Sequence, residues 1–151
     1  MTLSSIAFVG GGNMAGALIG GLLRSGWSAE AVAVVEPSAA QRETLASRFG
    51  VRTLAEADAT LGRADCVVWA VKPQLFKAAS APCAAHVGGA LQLSVMAGIR
   101  SDAIALATGS DRVVRAMPNT PALIGEGMSG LFARASVSAE ERAQVEKLLA
   151  P

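Results

Sequence analysis

The sequence lacks the residues that mark several common kinds of site. Its 151 residues include only two cysteines and one histidine, and no tyrosine. Neither cysteine has metal-like spacing or a neighbouring Cys/His partner, so we expect Cys66 and Cys83 to be reduced, buried thiols and expect no metal site. The histidine, His86, lies at a predicted helix end, where a surface or C-cap position is favoured over acid–base catalysis.

Clustered charge and long apolar runs are missing as well. The 13 basic and 12 acidic residues leave a net charge of +1, and no Lys/Arg-rich run supplies a surface for nucleic acid. The apolar runs are far shorter than the roughly 20 residues that a membrane-spanning helix needs. The first five residues carry no basic segment of the kind that opens a secretion signal. We therefore expect a cytoplasmic protein that contacts neither nucleic acid nor membrane.

What the sequence does contain is a large share of apolar residues. Hydrophobic residues make up 52% of the chain and charged residues 17%, with a mean hydropathy of +0.43. The length favours a single domain, residues 1–151, with a buried core. Because so few charges are available to cover that core, we expect part of the surface to be apolar and to face a partner.

Apolar runs and helical patterns alternate along the chain. Runs typical of buried strands cover residues 5–9, 31–35, 51–53, 66–71, 91–95 and 113–117, and a further edge strand is predicted over 128–132. Helical spacing or capping signals predict helices over residues 13–24, 38–48, 56–61, 74–85 and 139–150, and after a Ser101 cap. Apolar strands separated by helices predict an α/β fold, with a doubly wound, mostly parallel sheet and helices on both faces.

A glycine-rich turn falls between the first predicted strand and the first predicted helix. The pattern Gly10-x-Gly12-x-x-Ala15 matches the Rossmann-type dinucleotide fingerprint in both spacing and position. Gly10 permits the tight turn, Gly12 lets a diphosphate approach the backbone, and Ala15 lets the helix pack closely. The N–H groups at the helix start then face the phosphates. The alternative is a glycine turn that serves the backbone alone.

The acid at the end of the second predicted strand bears on the choice of cofactor. Glu36 lies 21 positions after Ala15, where an acid accepts hydrogen bonds from the adenosine ribose, and this favours NAD. NADP would require the Glu36 carboxylate to turn away from the 2′-phosphate. Ser38 and Arg42 offer a hydroxyl and a cation for such a phosphate, so the sequence excludes neither NAD nor NADP. The alternative for Glu36 is a solvated strand end.

Four segments together resemble pyrroline-5-carboxylate reductases, in the same order and at the same intervals. They are Phe8-Val9-Gly10-Gly11-Gly12-Asn13-Met14-Ala15, Ala70-Val71-Lys72-Pro73-Gln74, Ser94-Val95-Met96-Ala97-Gly98-Ile99 and Arg115-Ala116-Met117-Pro118-Asn119-Thr120-Pro121. The Met-Pro-Asn-Thr-Pro stretch is the most specific of them, and the resemblance extends over essentially the whole chain. The four segments together favour this family over the 3-hydroxyacid dehydrogenases, which share the fold and the first motif.

The resemblance implies a reaction and a set of site residues. The reaction is the reduction of 1-pyrroline-5-carboxylate to L-proline, in proline biosynthesis, by hydride transfer from NADP(H) or, as the second candidate, NAD(H). It needs neither a metal nor a covalent nucleophile. Together with the fingerprint, the resemblance gives the predicted cofactor-binding residues as Gly10, Gly11, Gly12, Asn13, Met14, Ala15, Glu36, Ser38, Ala70, Val71, Lys72, Pro73, Ala97 and Gly98. Lys72, Ala97 and Asn119 each follow a predicted strand at the edge where ligands bind in such sheets.

Asn119 and Thr120 are the implied catalytic residues, close to the carbon that receives the hydride. For Lys72 the alternative is a solvated strand end, and for Asn119 it is a turn between two prolines. Members of the family continue into a helical domain that forms the dimer and binds the substrate carboxylate. We therefore expect the chain to be the cofactor-binding portion, with little or no turnover, of a homodimeric or higher homo-oligomeric parent. The alternatives are a non-catalytic nicotinamide-nucleotide-binding module and a related imine or 3-hydroxyacid dehydrogenase.

Overall fold

The computed structural model describes residues 3–118 and 128–149, along which strands and helices alternate. The strands are β1 (Ile6–Val9), β2 (Val32–Val35), β3 (Arg52–Leu54), β4 (Cys66–Trp69), β5 (Leu91–Ser94), β6 (Val113–Pro118) and β7 (Met128–Ala133). The helices are α1 (Asn13–Arg24), α2 (Ala39–Phe49), α3 (Phe76–Ser80), α4 (Ala84–Val87), α5 (Ser101–Thr108) and α6 (Ala139–Leu148). Short 3₁₀ segments cover Ala29–Ala31, Ala59–Arg63, Pro73–Leu75 and Ala81–Cys83.

The strands form one sheet in the order β3-β2-β1-β4-β5-β6-β7. All neighbours from β3 to β6 are parallel, and β7 pairs with β6 in the antiparallel direction. From β1 the chain builds outward through β2 and β3, and then crosses to β4 on the other side of β1. The strand order therefore reverses between β1 and β4, which is the doubly wound arrangement predicted from the sequence.

Each face of the sheet is covered by its own apolar cluster. One cluster joins Phe8 and Val34 of the sheet to Ile19 of α1, Leu45 of α2 and Val145 of α6. The other face packs beneath α3, α4 and α5. This division confirms the prediction of helices on both faces, because a parallel sheet must bury both of its sides.

The two cysteines lie within these clusters. Cys66 and Cys83 are fully buried free thiols, as predicted. Burial in apolar surroundings raises the pKa of the Cys66 thiol to about 12. Both side chains therefore serve the packing of the core.

The region between β4 and β5 differs from the prediction. Instead of one helix over 74–85, the chain forms 3₁₀ turns and the short helices α3 and α4. Pro82 lies in the second 3₁₀ turn, and proline has no N–H for a continuous helix and clashes with the preceding turn. The helix predicted over 56–61 is likewise a 3₁₀ segment, Ala59–Arg63, and Ser101 is the first residue of α5 rather than its cap.

Two further observations concern the surface of the described part of the chain. None of its helices is both long and apolar enough to cross a membrane. Large apolar side chains are exposed at Leu75, Leu106 and Phe132, and Leu106 on α5 is 87% exposed.

Candidate functional site

The predicted cofactor-binding residues gather at one edge of the sheet. The loops that follow β1, β4 and β5 all leave it there, because these strands are parallel neighbours. Backbone hydrogen bonds tie the strand ends together: the Gly10 N–H donates to the Val35 carbonyl at 2.9 Å, and the Ala70 N–H donates to the Val9 carbonyl at 2.9 Å. The glycine turn therefore opens where the strand order reverses, the position at which open α/β sheets bind ligands.

Gly10 is required by the backbone. Its φ angle is +100°, a conformation that side chains with a Cβ rarely adopt. A Cβ built there would also lie 2.7 Å from the carbonyl oxygen of Ala70 and 3.0 Å from Cγ1 of Val71. The positive φ agrees with the tight turn predicted from the sequence, and the close approach of β1 to β4 also depends on this glycine.

Gly11 is required by the packing of α2. A Cβ at this position would lie 2.7 Å from Cδ1 of Leu45, a buried residue of α2. Both polar groups of Gly11 are engaged by side chains. Its N–H donates to Oε1 of Glu36 at 3.0 Å, and its carbonyl accepts from Nε2 of Gln41.

Gly12 differs from the other two because nothing in the described protein needs it to be glycine. Its φ of −79° and ψ of −160° are open to any residue type. A Cβ at Gly12 would meet no atom within 4 Å among residues 3–118 and 128–149. The exposed Gly12 therefore leaves free space directly in front of α1, as required for the approach of a ligand to the backbone.

The start of α1 leaves its N–H groups available. Gly12 is the N-cap residue, and no side chain of a described residue caps this end of the helix. Asn13 is exposed, Met14 is half-buried, and Ala15 is fully buried against the sheet. The first N–H groups of α1, together with the helix dipole, can donate to an anion, because no side chain of residues 3–118 and 128–149 caps them.

The end of β2 and the start of α2 form the adjacent part of the site. Oε2 of Glu36 accepts from the Ser38 N–H at 2.9 Å, so that each carboxylate oxygen has a backbone donor. Nη1 of Arg42 donates to the carbonyls of Glu36 and Pro37, at 2.8 Å each. The Nε and Nη2 donors of this guanidinium have no partner within the described ranges.

The remaining predicted residues lie along the same edge. Ala70 is half-buried beside Gly10, while Lys72 is exposed and precedes the 3₁₀ turn that begins at Pro73. Ala97 and Gly98 are exposed in the loop after β5, where Gly98 has a φ of +77°. The predicted catalytic residues, 119 and 120, lie outside the described residues.

Sequence reasoning missed two glutamines: Gln41, which supports this edge, and Gln92, which lies inside the sheet. Gln41 holds the carbonyl of Gly11, as described above. Gln92 of β5 is fully buried and accepts from Nε1 of Trp69 at 2.8 Å, while its amide donates to the carbonyls of Val87 and Ala90. Only the placement of Gln92 in a mostly apolar, buried run signals its role, since a buried amide needs partners.

The fold and the site together define a Rossmann-type α/β domain: a doubly wound sheet with a glycine-rich turn at the point where the strand order reverses. Residues 5–98 match the family described as NADP oxidoreductase, coenzyme F420-dependent. The chain belongs to this family.

Relatives over the whole chain carry a narrower description. The chain is 42% identical to a pyrroline-5-carboxylate reductase of Pseudomonas aeruginosa, over 99% of its own length and 55% of that protein. A solved pyrroline-5-carboxylate reductase of Coxiella burnetii superposes with a TM-score of 0.90 at 30% identity, covering 99% of this chain and 56% of the other. The resemblance recognised in the sequence is thereby confirmed.

A third relative shares the fold at lower identity. The pyrroline carboxylate reductase of Plasmodium falciparum, solved with NADP bound, superposes with a TM-score of 0.82 at 22% identity, covering 99% of this chain and 55% of the other. In each of these comparisons the chain spans about half the length of the relative it matches.

Proposed function

We propose that this chain is the cofactor-binding portion of an NAD(P)H-dependent reductase that converts 1-pyrroline-5-carboxylate to L-proline, with NADP(H) as the cofactor. The observation that carries the proposal is the space at Gly12, which no described residue fills, in front of a helix that no described side chain caps. The two preceding glycines, Gly10 and Gly11, are explained by the fold, whereas Gly12 is explained by a ligand. The family description, which names NADP, and the identity to pyrroline-5-carboxylate reductases support the choice of cofactor and reaction.

The residues of this chain would bind and orient the cofactor. The diphosphate would accept hydrogen bonds from the N–H groups at the start of α1, with Asn13 and Met14 in its first turn. The loops at Ala70–Pro73 and at Ala97–Gly98 follow β4 and β5 at the same edge and would line the path of the rest of the cofactor. The nicotinamide supplies the hydride, so the task of the protein is to position it and to exclude water.

We assign the substrate side of the reaction to other groups. Asn119 and Thr120 remain the proposed catalytic residues, because they follow directly after β6, a parallel strand that ends at the same edge of the sheet. Binding of the substrate carboxylate and the proposed homodimer or higher homo-oligomer belong to the part of the relatives that this chain does not span. We propose a cytoplasmic location for the reaction.

The start of α2 supports NADP(H) over NAD(H). Both Glu36 oxygens accept from backbone N–H groups, which offsets part of the charge that would repel a 2′-phosphate. Nε and Nη2 of Arg42 have no partner among the described residues, and Arg42 lies in the first turn of α2, the helix that Ser38 caps. Guanidinium and hydroxyl groups at a helix start are a suitable pair for a phosphate dianion.

Replacing Arg42 with alanine tests this assignment. We expect the variant to bind NADPH about ten- to hundredfold more weakly, the effect of losing one charge-assisted hydrogen bond. NADH lacks the 2′-phosphate, so its affinity should change little. Isothermal titration of both cofactors measures the two effects in the same protein. Equal losses for NADPH and NADH would mean that Arg42 supports only the loop and contradict its role as the phosphate ligand.

A turnover assay tests the assignment of the chain to the cofactor-binding portion. We expect the 151-residue chain to bind NADPH and yet to oxidise it at the background rate when 1-pyrroline-5-carboxylate is added. The full-length reductase of Pseudomonas aeruginosa, assayed in parallel by absorbance at the NADPH band, is the positive control. A rate comparable to that control would show that the chain needs no further residues and would refute the assignment.

A further inference from the structure

We propose that Gln41 is a positioning residue of the dinucleotide site, which fixes the orientation of the peptide between Gly11 and Gly12. This inference rests on the proposed function and deepens it. The starting observation is that side chains hold both polar groups of Gly11. Glu36 accepts its N–H, and Gln41 donates to its carbonyl.

Through the geometry of the peptide bond, this contact also sets the direction of an N–H group at the ligand site. The carbonyl of Gly11 and the N–H of Gly12 belong to one planar, trans peptide, so they point in opposite directions. When Gln41 holds the carbonyl from the α2 side, the Gly12 N–H is aimed away from α2. That N–H has no hydrogen-bond partner in the described part of the chain, and it adjoins the open space at Gly12. Gln41 thus fixes the direction of a donor that a diphosphate would use.

The local sequence frees Gln41 for this task. Ser38 caps α2 and accepts from the Gln41 N–H at 3.3 Å, which places Gln41 at the third helical position. A glutamine there ordinarily reaches back to the N–H of the cap residue. In this protein Glu36 already accepts the Ser38 N–H, at 2.9 Å. The Gln41 amide is therefore available to reach across to the glycine turn.

The packing around Gly11 limits alternative positions of the turn. Leu45 lies one helical turn after Gln41 on the same side of α2, and its Cδ1 occupies the space where a Gly11 Cβ would lie. Glu36, Gln41 and Leu45 thus contact the turn at one residue, by a hydrogen bond to its N–H, a hydrogen bond to its carbonyl and an apolar contact. Among these three, Gln41 acts on the peptide that faces the ligand.

The test compares NADPH with adenosine 2′-monophosphate, which carries the 2′-phosphate but no diphosphate. Gln41→Met removes the donor and keeps the length of the side chain. We expect it to weaken NADPH binding about three- to tenfold, the effect of one lost hydrogen bond, and to leave the affinity for adenosine 2′-monophosphate unchanged. Both affinities are measured by isothermal titration. Ser47→Met, at an exposed position further along α2, is the matched control and should bind both ligands normally.

The outcomes separate this inference from the proposed function. Full NADPH affinity in Gln41→Met overturns the inference alone. So does an equal loss for both ligands, because that pattern would mean that the variant distorts α2 as a whole. If the unsubstituted chain fails to bind NADPH, the proposed function fails and the inference with it.

Discussion

Replacing Gly12 with valine should abolish NADPH binding while the protein remains folded. The valine side chain would occupy the space in front of α1 and keep a diphosphate away from the helix N–H groups. Loss of two or more hydrogen bonds to phosphate corresponds to an affinity at least about a hundredfold weaker. Because the new Cβ meets no described atom within 4 Å, the free energy of unfolding should fall by no more than about 1 kcal/mol, the effect of losing a glycine N-cap. Calorimetric titration and urea unfolding measure the two quantities.

Gly89→Val is the matched control for that experiment. Gly89 also has open space around its Cβ position, but it precedes β5 and so lies at the opposite edge of the sheet. We expect this variant to bind NADPH normally. Undiminished affinity in Gly12→Val would be incompatible with a dinucleotide site at this turn, whatever the fold suggests.

Gly10→Ala should have the opposite profile, a large loss of stability. The φ angle of +100° costs a residue with a Cβ about 1–3 kcal/mol. The contact at 2.7 Å with the Ala70 carbonyl, which is backbone and yields little, adds an overpacking cost of about 1–3 kcal/mol. The sum is a substantial part of the roughly 5–15 kcal/mol that stabilises a domain.

Urea unfolding of Gly10→Ala measures this loss directly. Gly16→Ala is a suitable control, because Gly16 lies within α1 and its Cβ position is open. Alanine is favoured over glycine inside a helix by about 0.5–1 kcal/mol, so this control should be slightly stabilised. A decrease below about 1 kcal/mol in Gly10→Ala would mean that the turn relaxes at little cost, against our account of a backbone requirement.

The fold was predictable from the sequence because its signals are local. Each apolar run and each capping residue, such as Ser38 before α2 and Ser138 before α6, can be recognised without knowledge of the rest of the chain. The doubly wound class then follows, since parallel neighbours need crossover helices, whereas the order of the strands was not predicted. The prediction was wrong between β4 and β5, where the effect of Pro82 outweighed the helical pattern around it.

The site was only partly predictable, because its supporting contacts join residues that are distant in sequence. The spacing of Gly10, Gly12 and Ala15 identified the turn, but no pattern in the sequence linked Gly11 to Gln41, which lies 30 positions later. The same holds for Trp69 and Gln92, whose hydrogen bond depends on the neighbouring positions of β4 and β5. Side-chain hydrogen bonds of this kind depend on the three-dimensional fold, and a glutamine in a sequence does not indicate which carbonyl it will reach.

The three consecutive glycines would be conserved to different extents in a descendant of this protein that had lost nucleotide binding. Selection for folding alone would retain Gly10, because of its positive φ, and Gly11, because α2 packs against it. Selection would no longer maintain glycine at position 12, and larger residues would accumulate there. Among divergent copies, the residue at position 12 would therefore distinguish those that still carry a cofactor from those that keep only the architecture.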